Sequence, residues 1–125
     1  DFYPTFLEVA GLKPGKKPID GESLIPLLRQ SGTLRRKAIY FHYPNYAWHM
    51  DNRLAGAVRE GNWKLIRNYD DDSLELYDMS KDLSENSNLA DKRPKIATRL
   101  NRGLSQWLKD TNAPMPRPAK PLPKK

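Results

Sequence analysis

The densest chemistry in the chain is the run YFHYPNYAWH, residues 40–49, which holds five of its twelve aromatic residues and both of its histidines. Aromatic faces stack on flat rings, and an imidazole beside them offers a polar handle. The run can therefore be a rim for a sugar or aryl group. It can equally be the end of a strand with its rings packed inward, and residue types alone favour packing. Zinc is a poorer fit. His42 and His49 stand seven residues apart with no evident third ligand.

Other groups that could do chemistry are scattered. Asp70, Asp71 and Asp72 form an acidic run, but it lacks the alternating oxygen ligands and the central glycine of a calcium loop. It reads as a solvated turn. Asp1, Asp20, Asp78, Asp82 and Glu85 sit at loop and strand ends, where aspartate commonly forms turns. No spacing singles out a pair for acid–base work. None of the seven serines lies in a nucleophile elbow. The absence of cysteine removes thiol nucleophiles, disulfides and thiolate metal sites.

These residues need elements to hold them, and 125 residues suffice for one small core. The formal charge of +7 invites a nucleic-acid reading. Yet Arg117, Lys120, Lys124 and Lys125 in the last twelve residues contribute four of those charges, so the remainder carries only +3. No apolar run approaches the roughly 18 residues that span a membrane. Residues 1–12 read as a short helix, with Pro4 in its first turn and Gly11 just past its end. DGESLIPLL, residues 20–28, reads as a single helical turn with Ser23 as a cap. Residues 37–43 alternate as a strand, with Ile39, Phe41 and Tyr43 on one face and Tyr40 and His42 on the other. Residues 54–60 and 63–69 form a hairpin about Gly61-Asn62, and residues 73–79 form a fourth strand. Residues 94–110 are the strongest helix, with Ile96, Ala97, Leu100, Leu104, Trp107 and Leu108 on one stripe. The expected class is α+β: a four-stranded antiparallel sheet packed by a C-terminal amphipathic helix, with a short N-terminal helical segment. One sheet face is then left without a cover, and an exposed aromatic face marks a partner.

Six phrases in order carry a resemblance. They are DFYPTFLEVAGL, DGESLIPLL, AIYFHYP, AGAVREGNWKLI, LELYDM and KDLSENSNLA, followed by a helix holding QWL. Together they resemble the C-terminal part of the sulfatases of the arylsulfatase type, within the alkaline-phosphatase-like superfamily. The matching positions include Asp1, Pro4, Thr5, Gly21, Ser23, Arg59, Gly61, Lys64, Tyr77, Asp78, Asp82, Glu85, Asn88 and Leu89. Leu83 stands where the family has proline, and Met79 where it has leucine.

The resemblance implies a sulfuric ester hydrolase whose formylglycine nucleophile and calcium belong to an N-terminal catalytic domain. This chain has no cysteine, and no serine is followed two positions on by proline, so it lacks the C/S-x-P-x-R precursor. The expectation is a non-catalytic part, inactive alone, with no metal or cofactor of its own. Its expected partners are the catalytic domain, a sulfated small molecule or glycan bound by the whole enzyme, and a second copy through an open face; neither nucleic acid nor membrane is expected. Residues 1–36 would be the edge of the large domain, 37–112 the C-terminal subdomain and 113–125 a Pro/Lys-rich tail. His42 and Tyr46 are the residues expected to border the substrate, and Lys64 is expected to be structural. Export to the periplasm, cell surface or lysosome is implied by the family. The rival readings are a small basic nucleic-acid-binding module, with tyrosines as its stacking platform, and a protein-interaction module with the tail as ligand.

Overall fold

The computed structural model describes residues 1–16, 19–46 and 52–117. The chain divides into two compact units, Asp1–Lys37 and Ala38–Lys125.

The first unit holds helices α1 (Phe2–Val9) and α2 (Ile25–Leu28). Polar contacts do most of the holding. The Thr5 hydroxyl donates to the Asp1 carbonyl at 2.7 Å and accepts the Leu24 N–H at 2.9 Å. The Asp1 carboxylate accepts the Glu22 N–H at 3.0 Å and pairs with the Arg36 guanidinium. Glu22 in turn accepts the Arg35 and Arg36 N–H groups at 2.7 and 3.1 Å. These backbone donors hold its carboxyl below the ordinary value. Gly21 has no room for a side chain, because a Cβ there would lie 2.8 Å from the Asp1 nitrogen.

Apolar burial in this unit is slight. Thr5 and Ile25 are its buried residues, while Phe2, Phe6, Val9 and Leu28 are each 66–70% exposed. Phe6 and Val9 lie three residues apart on one side of α1, and nothing within the unit covers them. In α2 the buried side chain is Ile25. Leu24 occupies the N-cap, and Ser23 accepts the Ile25 N–H at 3.3 Å.

The second unit is a meander of strands β1 (Ala38–Tyr43), β2 (Ala55–Glu60), β3 (Trp63–Asn68) and β4 (Leu74–Asp78), antiparallel and in sequence order. Helix α3 (Pro94–Asp110) follows. Gly61 turns the β2–β3 hairpin at φ +56°, a region that costs other residues strain. The register aligns Tyr40, Val58, Leu65 and Leu76 in one row across all four strands. Ala97, Leu100, Leu104 and Leu108 of α3 close over that row to make the core. The Tyr40 and Trp107 rings stack at 5.1 Å and seal its β1 side.

The loop between β4 and α3 explains much of the KDLSENSNLA phrase. Asn88 Oδ1 accepts the Leu76 and Ala90 N–H groups at 3.0 and 2.9 Å, and its Nδ2 donates to the Leu74 carbonyl. Leu89 N–H donates to the Leu76 carbonyl at 2.8 Å. The outer edge of β4 is thus satisfied by its own following loop, which removes an edge open to strand pairing. Asp82 accepts the Asn86 and Ser87 N–H groups, and Glu85 pairs with Lys64 at 2.6 Å.

Leu104 is fully buried at the centre of this core. A Leu104→Ala variant is expected to lose about 2–5 kcal/mol, read as a lower urea midpoint with an unchanged slope. A loss below about 0.5 kcal/mol would show that the helix–sheet layer is not the stabilising core.

Candidate functional site

The face of the sheet opposite α3 is a shallow open cavity of about 820 Å³. Its shape follows from the residues in register. One row runs Phe41, Ala57, Ile66 and Glu75, and the next runs Tyr43, Ala55 and Asn68. Alanines on β2 make a trough, and Phe41, Tyr43 and Ile66 wall it. Phe41 is 57% exposed and Tyr43 46%. The Lys64–Glu85 ion pair and Met79 close one end. The aromatic face left open is therefore Ile39/Phe41/Tyr43. Tyr40, Trp63, Leu65 and Tyr69 pack toward α3.

A polar cluster stands at the other end of this face. Glu75 accepts from Asn68 Nδ2 at 3.0 Å, from the Tyr77 hydroxyl at 2.7 Å and from Arg53 at 3.1 Å. The Asn68 and Tyr77 bonds, then the Arg53 charge, hold the Glu75 carboxyl below its usual value. Burial, reinforced by Glu75, pushes the Tyr77 phenol up to about 12. Asn68 donates from the same Nδ2 to Ser73 Oγ, while its buried Oδ1 has no partner among the described residues.

The aromatic run splits between two environments. His42 lies on the α3 side, with Nδ1 2.6 Å from the Tyr69 hydroxyl and Nε2 2.8 Å from the Pro114 carbonyl. A carbonyl only accepts, so Nε2 carries a proton and, in the neutral ring, Nδ1 accepts from Tyr69. Both ring nitrogens are occupied. Gly56 makes room for this: a Cβ there would lie 2.2 Å from the Tyr69 hydroxyl oxygen. Tyr46 is two-thirds exposed, and its hydroxyl donates to Asp70 Oδ1 at 3.0 Å. That bond raises its phenol above the ordinary value. His42 and Tyr46 thus share no hydrogen bond, but each grips one of two adjacent residues, Tyr69 and Asp70. The far end of the loop is tied by Asn52 Nδ2 to the Asn45 carbonyl at 3.2 Å. His49, the other candidate zinc ligand, lies outside the described residues, as does Trp48.

The acidic run is spent on one long-range contact and two local ones. Asp70 takes Tyr46, Asp71 accepts the Ser73 N–H at 2.9 Å, and Asp72 pairs with Arg67 at 2.6 Å. Asp72 stands at φ +58°.

The sequence matches the family model described as N-sulphoglucosamine sulphohydrolase, C-terminal, over residues 1–113. The chain belongs to the sulfatases, in their C-terminal region. A sulfatase of Formosa agariphila is 34% identical over 91% of this chain and 23% of its own length. An N-acetylglucosamine-6-O-sulfatase of Bacteroides thetaiotaomicron is 39% identical over 89% of this chain and 20% of its own. A solved structure of a protein in complex with its substrate, D-glucosamine-2-N,6-O-disulfate, superposes with a TM-score of 0.74 at 35% identity, covering 91% of this chain and 24% of that one. The chain spans only 20–24% of the length of these relatives.

Sulfatase membership implies calcium and formylglycine. Among the described residues no three His, Asp or Glu side chains gather to hold a cation. The sequence has no cysteine, and no serine with proline two residues on, to become the aldehyde. The described residues offer no cation site, and the sequence offers no formylglycine precursor. Lys64, a family position, is held in the Glu85 ion pair at the rim of the open face.

Sequence reasoning missed the Arg53–Asn68–Glu75–Tyr77 cluster and the partners of His42. Gly56 inside a strand was the available signal, since such a glycine marks a close approach.

The Glu75 cluster makes an acid-side prediction. Its carboxyl is lowered from 4.5 in the folded state, so its stabilising share is fully present above that unfolded value. The share is lost as pH falls through the lowered one. Glu75→Gln is expected to be less stable than the parent at pH 7 and to show a shallower loss of stability between pH 5 and 3, measured by urea titration across pH. Identical slopes for both proteins would remove Glu75 from the acid response; the similarly lowered Asp71, Asp78 and Glu22 carry the remainder.

Proposed function

We propose that this stretch is the non-catalytic C-terminal part of a sulfatase acting on a sulfated sugar, and that it works by covering and shaping a catalytic region supplied by the longer protein. The observation that carries the reading is a pair of apolar surfaces, each left uncovered within its own unit. One is the Phe41/Tyr43/Ile66 trough, and the other is the Phe2/Phe6/Val9 face of the first unit. Apolar surface of this kind is unfavourable in water at about 25 cal/mol per Å². The relatives place three quarters or more of their length outside the matched stretch, which is ample chain to cover both.

The sugar-side residues in this reading are His42 and Tyr46. The exposed Tyr46 ring offers a stacking face, and its bond to Asp70 fixes it. His42 anchors the start of the same loop through Tyr69 and Pro114, and both ring nitrogens are committed to that task. Residues 1–36 belong to the edge of the large domain and 113–125 to a tail. Calcium and formylglycine belong to the catalytic region, and export follows from the family. A sulfated glucosamine is the favoured substrate class, because one relative is an N-acetylglucosamine-6-O-sulfatase and a structural match holds a disulfated glucosamine.

The purified 125-residue chain is expected to release no sulfate from N-acetylglucosamine-6-sulfate or from an aryl sulfate. It is also expected to bind a hydrophobic dye, less so after Phe41→Ser and Tyr43→Ser. Turnover that tracks the pure chain, or an absence of dye binding, would overturn the reading.

A further inference from the structure

The outward face of α3 carries a second surface. Lys95, Arg102 and Lys109 recur every seven residues, two helical turns and about 10.5 Å apart. All three are exposed, and among the described residues none makes an ion pair. Arg99 flanks them, held by Glu60 at 2.6 Å. Lys95, Thr98, Arg99 and Arg102 line a shallow depression on this face. The nearby carboxylates are few. Glu60 is engaged by Arg99, Asp110 is engaged by Gln106 at 2.7 Å, and Asp91 precedes the helix. A plain solubilising helix face interleaves both signs, whereas α3 sets four cations, Lys95, Arg99, Arg102 and Lys109, against one acid, Asp110.

We infer that the Lys95/Arg102/Lys109 stripe is a docking surface for a sulfated polysaccharide chain, separate from the loop that holds Tyr46. The inference rests on the reading that the longer protein acts on sulfated glycans. A linear row of cations at regular spacing suits a linear polyanion, and guanidinium pairs with sulfate oxygens as it does with carboxylate or phosphate. Single-stranded nucleic acid fits the stripe less well. Its binding sites supply aromatic rings for base stacking, and the aromatic residue of α3, Trp107, is turned inward onto Tyr40. Such a surface would hold a long substrate near the enzyme between cuts and raise its local concentration.

The test measures binding of a heparin-derived octasaccharide to the 125-residue chain at low and physiological salt. The expected result is salt-sensitive binding that weakens about tenfold or more, as loss of close charge pairs does, in the triple variant Lys95→Glu/Arg102→Glu/Lys109→Glu. The milder Lys95→Gln/Arg102→Gln/Lys109→Gln set should show a smaller loss, with circular dichroism confirming that both fold. The control Lys13→Glu/Lys16→Glu/Arg29→Glu carries the same charge change on the first unit and should bind as the parent does. The desulfated octasaccharide should not bind. Four results would overturn the inference: no binding, equal weakening by the control set, complete loss on deleting residues 118–125, or equally tight binding of single-stranded DNA. Because the assay needs no turnover, its failure leaves the hydrolase reading standing. A full-length protein inactive on sulfated sugars would defeat that reading without altering this measurement.

Discussion

The contact on which the second unit depends is the closure of Leu100, Leu104 and Leu108 over the row formed by Val58, Leu65 and Leu76. Each fully buried leucine is worth about 1.5–3 kcal/mol relative to exposure, and no polar contact in the unit approaches that sum. The single helix can cover only one face of a four-stranded sheet. Satisfying the Leu65 face therefore leaves the Phe41 face without a cover. The open trough is a direct consequence of where the core sits.

Polar family positions serve this scaffold. Asn88 ties the loop to the edge of β4, Asp82 caps the turn before it, and Glu85 reaches back to Lys64 on β3. In the first unit Asp1, Thr5 and Glu22 do the comparable work, holding α1 and the DGES turn together almost without a core. Residues that look like catalytic carboxylates in a linear sequence are largely hydrogen-bond acceptors for backbone N–H groups. Their spacing reflects loop geometry, where an accepting side chain two to five residues from the donor closes a turn.

The strands, the hairpin and the long helix were legible because their signals are local: alternation in β1, Gly61 between two apolar runs, and the 3.6-residue stripe of α3. The six ordered phrases also made the family legible. Which sheet face α3 would cover was harder to read, since both faces of β1 carry aromatics and only register with Val58 and Leu65 decides it. The His42–Tyr69–Pro114 chain joins residues up to 72 apart, and no local pattern encodes such a contact. The Glu75 cluster was missed for the same reason. Its members lie on three segments, and each alone is an ordinary strand or loop residue.

The central claim is that the open face of the sheet is an interface with a catalytic region. The most direct measurement is calorimetric titration of this chain into the separately produced catalytic region that the proposal assigns to the longer protein. The account predicts saturable one-to-one binding that Phe41→Glu with Tyr43→Glu abolishes, while Lys95→Gln on the opposite layer leaves it intact. Binding of equal strength by the Phe41/Tyr43 variant, or no binding between the two folded parts, would contradict it.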